Sequence, residues 1–285
     1  MTKLGFRRSF AGLSIELRDF IQAELFSWIL IFLFLDYNIS GAIFSSNWYQ
    51  YTVNIVEFAS SDFFILIGWV VCIWRLLLGG ARRINSRAFV LAIIFCIASI
   101  ITSQQLLPAL MALFALWIWV SGGQNSRAAA AIMFAMSSRL LWSHLIFNAF
   151  SREIVDVDTF FVGKAVVFAV KGAEVHENIV RVPSGHSIAI MEGCSSFANV
   201  ASSLLGWVIF SKIERAAWCR RDIYVGVAIV ITQVFLNVVR IFLMAQSLGY
   251  YEYWHNGLGS QFYVFIAAAS VVIISVNGSK WAGRS

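Results

Sequence analysis

Eight long apolar stretches constrain this chain more than any other feature of its sequence. Crossing a hydrocarbon core of about 30 Å as a helix takes about 20 residues, and these stretches reach or approach that length. Only 13% of the residues are charged, against about 25% in soluble domains. The sequence therefore predicts an all-α integral membrane protein, a single polytopic helical bundle over residues 1–285. The predicted membrane helices are 22–44, 56–79, 88–104, 105–121, 128–150, 194–211, 223–247 and 260–277.

The basic residues between these stretches predict the orientation. With a cytoplasmic N-terminus, fourteen Lys and Arg fall in inner segments and four in outer ones, as the positive-inside rule requires. All four outer residues lie in 151–193, and long translocated segments follow the rule less strictly. We expect a multi-pass protein of the cell (inner) membrane with both termini in the cytoplasm, and we expect 151–193 to form a small extracytoplasmic cap between the fifth and sixth helices.

Local patterns add detail to this topology. In the cap, the apolar run 160–170 indicates a helix lying on the membrane surface. The β-branched residues on either side of 183–185 indicate two short strands joined by a turn. Pro108 suits the first turn of the fourth helix, which predicts a tight hairpin with the third helix across 103–105.

Of the four cysteines, Cys194 has the most unusual position. Cys72 and Cys96 lie within apolar runs, where cysteine behaves as a small hydrophobic residue, and Cys219 lies in a basic inner loop. Cys194 stands where the polar cap ends and the sixth helix begins. The chain has no Cys-x-x-Cys or His-x-x-x-His pair, so we expect no metal site, and no other motif predicts a cofactor.

Arg240 and Arg139 lie inside predicted membrane helices, where burying a charge costs at least about 2.5 kcal/mol. Arg240 lies about eight residues, or about 12 Å, from the outer end of the seventh helix, with Asn237 on the same face. A structural arginine bonded to carbonyls or a carboxylate is the alternative interpretation. Arg139 has no assigned role, and a structural ion pair would explain it. Its candidate partners are Asp156, Asp158 and Glu192.

Cys194, Arg240 and His255 all reach the outer leaflet in this topology, which makes them a candidate catalytic set. The N-terminus of a helix has unsatisfied N–H groups and a positive dipole end, which favour a thiolate at Cys194. Arg240 would hold an oxyanion, and His255 would move protons. His186 is the rival base. The simpler interpretation is that Cys194 only packs and that the two serines after it cap the helix.

With these residues, the chain resembles the exosortase/archaeosortase family of multi-pass membrane proteins over about 190–260. The matching elements are Cys194-Ser-Ser at a helix start, Asn237-Val-Val-Arg240 in the next helix, and His255-Asn-Gly-Leu-Gly259 before the last. Many members have glycine where this chain has Ser196. The departure bears on the subfamily more than on the chemistry.

The resemblance implies a membrane cysteine protease or transpeptidase with sortase-like chemistry on an unrelated fold. Such an enzyme cleaves the C-terminal sorting signal of exported proteins, consisting of a short motif, a transmembrane helix and a basic tail. It transfers the new carboxyl end, through a thioester at Cys194, to an acceptor such as a lipid or glycan component, and often accompanies exopolysaccharide machinery. The sorting motif and the acceptor are not readable from the sequence. The alternative is a non-enzymatic transporter or exopolysaccharide-export component in which Arg139 and Arg240 line a path for an anionic substrate.

Overall fold

The computed structural model describes residues 63–78, 94, 95, 97, 98, 107–191 and 194–283. The predicted helix 22–44, most of the predicted helix 88–104, the hairpin loop at 103–105, Cys96 and Glu192 lie outside these residues. The described elements, in chain order, are α1 (Phe63–Leu78), α2 (Leu107–Ser121), α3 (Gln124–Ser137), a π-helical turn (Ser138–Trp142), α4 (Ser143–Ala169), β1 (Glu174–His176), β2 (Ile179–Arg181), β3 (Ser187–Ala189), α5 (Ser196–Glu214), α6 (Arg221–Ala245), α7 (Leu248–His255) and α8 (Leu258–Gly283).

The described part of the chain is mostly helical, and three of its helices, α5, α6 and α8, are long and apolar enough to cross a membrane. A fourth span results if the helices on either side of the π-helical turn count as one broken span, while α1 and α2 contain shorter apolar helices. These helices support a membrane protein. The number of eight spans and the orientation stay predictions.

The chain divides into two compact units, one made of residues 1–59 and 65–137 and the other of residues 60–64 and 138–285. In the first, α2 and α3 pack as an antiparallel pair. Pro108 lies in the first turn of α2, as predicted, and its carbonyl accepts a hydrogen bond of 2.6 Å from the buried hydroxyl of Ser137. The buried thiol of Cys72 donates to the carbonyl of Ala129. Cys72 is thus a packing residue, as its apolar surroundings predicted.

In the second unit, α5, α6 and α8 pack against one another, and α7 packs against α6 and α8. The range of α4 contains a break at Phe150, whose φ of −128° and ψ of 29° are non-helical, so two helices meet there. The first ends at 150, as the sequence predicted. The second runs on to Ala169 and begins well before 160, where the sequence predicted the start of a separate surface helix.

The cap contains an antiparallel sheet in the order β1-β2-β3, where the sequence predicted only the last two strands. Val180 stands opposite Val175 on one side and Ile188 on the other. The turn between β2 and β3 uses Gly185 at φ 84°, a conformation that glycine adopts freely.

A hydrophobic core joins the cap to the helices. Its buried members come from α4, from the β2 and β3 region and from α6, and they are Val162, Val166, Val180, Val182, Ile188, Ile190, Ile241 and Ala245. Full burial of one such valine or isoleucine stabilises a fold by about 1.5–3 kcal/mol. Cys194 packs against this core as a partly buried neighbour, so the core helps to fix the position of the candidate nucleophile.

Candidate functional site

Cys194 lies two residues before the first residue of α5 and is half-buried. Its N–H donates to the carbonyl of Met191 at 2.9 Å. Ser195 is the N-cap of α5, and its hydroxyl accepts from the N–H of Phe197 at 3.2 Å. The serine cap matches the sequence interpretation. Side chains already bind two of the N–H groups at this terminus, so the prediction that its first N–H groups are unsatisfied is wrong in part.

Asp158 binds the second of those N–H groups. Its carboxylate, only 1% exposed, accepts three hydrogen bonds. They come from the Ser195 hydroxyl at 2.7 Å, the Ser196 N–H at 2.9 Å and the Ser196 hydroxyl at 2.6 Å. A carboxylate at a helix N-terminus is stabilised by the macrodipole. Asp158 thus ties α4 to the two residues that directly follow Cys194, and the sequence analysis had considered it only as a partner for Arg139.

Asn237 connects α6 to the candidate nucleophile. Its side-chain amide is fully buried and donates to the carbonyl of Cys194 at 2.9 Å. Its oxygen accepts from the hydroxyl of Tyr263 at 3.4 Å, and that hydroxyl accepts from Asn199 at 3.0 Å. Three helices are therefore fastened to the segment around Cys194 by a buried polar network, the kind of contact that specifies a single arrangement.

Arg240 lies one turn after Asn237 on the same face of α6 and is half-buried. Its Nε donates to the carbonyl of Trp254 at 3.2 Å, and its guanidinium lies 4.9 Å from the ring centroid of Tyr263. Because α6 ends at Ala245, Arg240 stands about 8 Å from that end, which corrects the deeper position predicted. The hydrogen bond to the Trp254 carbonyl matches the interpretation of Arg240 as a structural arginine. The contact with Tyr263 also places its charge beside the polar network that binds the Cys194 carbonyl.

His255 is the last residue of α7, directly after the residue that Arg240 binds. Its Nδ1 lies 2.8 Å from Oδ1 of Asn256, and Nδ2 of Asn256 donates to Glu252 at 3.3 Å. Because a carboxylate must face the amide nitrogen, the amide oxygen faces the imidazole and accepts a hydrogen bond from its Nδ1–H. In the neutral imidazole, Nε2 is then the acceptor nitrogen of His255.

Tyr251 separates the two rival histidines. Its ring stacks on His255 with centroids 4.9 Å apart and meets His186 edge-on at 5.9 Å. His186 also faces the carbonyl of Met244, 3.2 Å from its Nε2. Within the described residues, no hydrogen bond joins the Cys194 thiol to either imidazole or to Arg240. Catalytic hydrogen bonds often form only when substrate is bound, so both histidines stay candidates for the base.

Arg139 lies in the π-helical turn, and its Nε donates to the hydroxyl of Ser202 on α5 at 2.7 Å. It lines a pocket of about 210 Å³ together with Ser202, Gln233 and residues of α8. The side-chain oxygen of Gln233 is buried there with no hydrogen-bond partner among the described residues. Arg139 thus lies beside the side chains of Ser202 and Gln233, in a pocket whose lining is otherwise mostly apolar.

Several residues of the site could not be assigned roles from the sequence alone. Tyr251 and Tyr263 carry no motif of their own, and nothing in the chain indicates that they would meet His255, Arg240 or Asn237. Asp158 offered little signal, since it lies among other polar residues of α4, Glu153, Asp156 and Thr159. The adjacent serines after Cys194 are suitable donors, but they lie 37 and 38 positions away.

A family model described as transmembrane exosortase (Exosortase_EpsH) matches residues 48–272. The match covers about four fifths of the chain and includes Cys194, Arg240 and His255. Comparison with curated proteins and with solved structures finds no match in either. The family match extends well beyond the 190–260 region in which the sequence motifs carry the resemblance. By this match, the chain belongs to the transmembrane exosortase family.

Proposed function

We propose that the protein is a membrane cysteine transpeptidase or protease that acts on a C-terminal sorting signal of exported proteins. Membership of the exosortase family supports a membrane transpeptidase-like role. The proposed substrates carry a short motif, a transmembrane helix and a basic tail, and a substrate helix would dock laterally beside α5 and α6.

In the proposed reaction, the thiolate of Cys194 attacks the carbonyl carbon of the scissile peptide bond. Arg240 stabilises the oxyanion of the tetrahedral intermediate. The C–N bond then breaks, His255 protonates the leaving amine, and a thioester remains on Cys194. An acceptor hydroxyl or amine, or water, attacks the thioester and gives its proton to His255. The new ester, amide or acid is released, and Cys194 leaves as the thiolate.

The bond between Asn237 and the Cys194 carbonyl is the observation that carries this proposal. It fastens the candidate nucleophile to the helix that presents Arg240. Arg240 in turn binds the carbonyl of the residue before His255. A chain of direct contacts thus runs through the three elements that bear the proposed catalytic residues, and its first contact joins residues 43 positions apart.

The proposal includes a location. We infer that the protein spans the cell (inner) membrane with both termini cytoplasmic, so that the Cys194 network and the cap face the extracytoplasmic side, where exported substrates arrive. An association with exopolysaccharide machinery would supply a lipid-linked or glycan acceptor. The positive-inside distribution of basic residues supports this orientation.

Cys194→Ala and Cys194→Ser, in cells with a tagged substrate, test the proposal. We expect processing to fall at least about 1,000-fold in the alanine variant, because the covalent route is lost. Cys219→Ser is the matched control, since it removes a cysteine at the other end of α5, and it should process at the wild-type rate. Processing at the wild-type level in both Cys194 variants would exclude Cys194 as nucleophile.

The pocket beside Arg139 is the observation that favours the second candidate, a transporter or export component for an anionic substrate. A cationic group that lines a pocket between helices is a feature of such paths. A membrane-impermeant thiol reagent, applied from the extracytoplasmic side, separates the two functions. Rapid labelling of Cys194, in parallel with loss of processing, supports the enzyme. An inert thiol supports transport.

A further inference from the structure

A cleft opens between α4 and the β-sheet of the cap, directly beside the candidate nucleophile. Its volume is about 530 Å³, within the range of roughly 300–1,000 Å³ that small-ligand sites occupy. Met191 forms one wall, and its carbonyl accepts the N–H of Cys194. Such a contact between residues three apart brings their Cα atoms within about 7 Å of each other. The wall of the cleft formed by Met191 therefore lies within about 7 Å of Cys194, measured between Cα atoms.

The second point of attachment is Phe147 on α4. It lines the cleft, and its ring lies 6.1 Å from that of Phe197 in the first turn of α5. The cleft is thus attached to Cys194 through the backbone at Met191 and to the start of α5 through this aromatic pair.

The lining of the cleft combines an apolar floor with charges of both signs. Phe147, Val155 and Ile190 supply the floor, and Arg152, Asp156 and Glu177 supply the charges. These three charged side chains are exposed. The ion pairs found within the described residues join His176 to Glu174 and Arg215 to Asp222, so none of the three charges in the cleft is neutralised by a described partner.

We propose that this cleft is the subsite that holds the extracytoplasmic peptide segment of an exported substrate next to Cys194. A peptide offers N–H donors to the two carboxylates, C=O acceptors to the guanidinium and side chains to the apolar floor. Two carboxylates against one guanidinium disfavour an anionic lipid or polysaccharide as the occupant. The inference rests on the proposed function, because it assumes that the substrate of this site is a polypeptide.

Glu177 provides a test that separates binding from folding. It occupies the two-residue turn between β1 and β2 at φ 51°, a conformation that favours glycine over residues with a Cβ. Glu177→Gly therefore removes a carboxylate from the cleft and relieves the backbone strain at this position. A loss of binding in this variant then does not arise from unfolding. Glu153→Gln is the matched charge control, because Glu153 is an exposed carboxylate on α4 that does not line the cleft.

The experiment uses the full-length chain with Cys194→Ala, which cannot cleave a bound substrate by the proposed chemistry. A photo-crosslinking amino acid replaces Ser151, which lines the cleft, or Phe161, which lies on α4 outside it. The probe is an epitope-tagged exported protein with a short motif, a transmembrane helix and a basic tail. We expect at least about tenfold more crosslinking from position 151 than from position 161, and at least about fivefold less when Glu177→Gly or Asp156→Asn is added, with no change from Glu153→Gln.

Equal crosslinking at the two positions, or crosslinks at 151 to lipid or glycan in place of the peptide, would overturn the subsite. The crosslink does not depend on the reaction, so this result is distinguishable from failure of the proposed function. Crosslinks at 151 in a protein whose processing is insensitive to Cys194→Ala would leave the subsite intact and refute the chemistry. Processing that depends on Cys194, without crosslinks at position 151, would support the chemistry and refute the subsite.

Discussion

Removing the carboxylate of Asp158 should destabilise the protein and disturb its candidate nucleophile together. The Asp158→Ala variant leaves the Ser196 N–H and the hydroxyls of Ser195 and Ser196 without their acceptor. All three residues are at least nine-tenths buried, so water does not readily take its place. Because these donors are at the start of α5, the first effect of the substitution falls on the residues next to Cys194.

The expected loss in free energy of unfolding follows from the three hydrogen bonds that Asp158 accepts. A hydrogen bond to a charged group contributes about 1.5–3 kcal/mol, but the two hydroxyls can turn toward other acceptors and the losses are not additive. We therefore expect Asp158→Ala to lower the free energy of unfolding by about 3–5 kcal/mol. Asp158→Asn keeps the shape, its oxygen can accept from the Ser196 N–H, and its nitrogen can donate to a hydroxyl. We expect a loss of about 1–2 kcal/mol for this variant.

The assay is reversible unfolding in detergent by SDS titration, together with the rate at which Cys194 reacts with a small maleimide. Asp156→Ala is the matched control, because it removes an exposed carboxylate two residues earlier on α4 and should change stability by less than about 0.5 kcal/mol. If Asp158→Ala unfolded within 1 kcal/mol of the wild type and left the Cys194 alkylation rate unchanged, the claim that Asp158 holds this segment would be refuted.

Three further predictions concern other contacts of the site. Asn237→Ala should reduce processing about tenfold, since the lost bond to Cys194 is worth about 1.4 kcal/mol, and a rate equal to wild type in a substrate-processing assay would contradict this. Tyr251→Phe should keep the aromatic stack and process normally, whereas Tyr251→Ala should be slower, and equal rates for the two would show that the stack has no role. The hydrogen bond from Arg215 lowers the pKa of Cys219, with burial acting in the opposite direction. Arg215→Gln should therefore move the pH profile of Cys219 alkylation to higher pH, and an unchanged or lower profile would argue against that bond.

The sequence predicted the membrane helices of the second unit well, because each of them is a long apolar run. The predicted ranges 194–211, 223–247 and 260–277 correspond to α5, α6 and α8, with ends that differ by two to six residues. It predicted β2 and β3 from their β-branched residues and missed β1, whose three residues Glu174-Val-His include two polar ones. Hydropathy also placed the end of the fifth helix at 150, where α4 breaks, but it placed the start of the next helix too late, because the polar residues before 160 are helical as well.

The contacts around Cys194 were beyond sequence reasoning for a different reason. Periodicity shows which face of one helix is apolar, but it does not show which side chains of two helices meet. Asn237 and Cys194 are 43 positions apart, and Ser196 and Asp158 are 38 positions apart. These bonds depend on how α4, α5 and α6 pack, and packing angles and register are set by the whole interface. The order of Cys194, Arg240 and His255 along the chain was readable and their common leaflet stays a prediction, whereas the contacts that position them were not readable.

Isolation of a covalent intermediate tests the central claim most directly. Substrate and full-length protein would be incubated, the reaction stopped by acid, and the protein digested and analysed by mass spectrometry for a peptide joined to Cys194. We predict an adduct at Cys194 that neutral hydroxylamine cleaves, as expected of a thioester, and that is absent from Cys194→Ala. Turnover of the substrate with an adduct on another residue, or with processing retained in Cys194→Ala, would contradict the account.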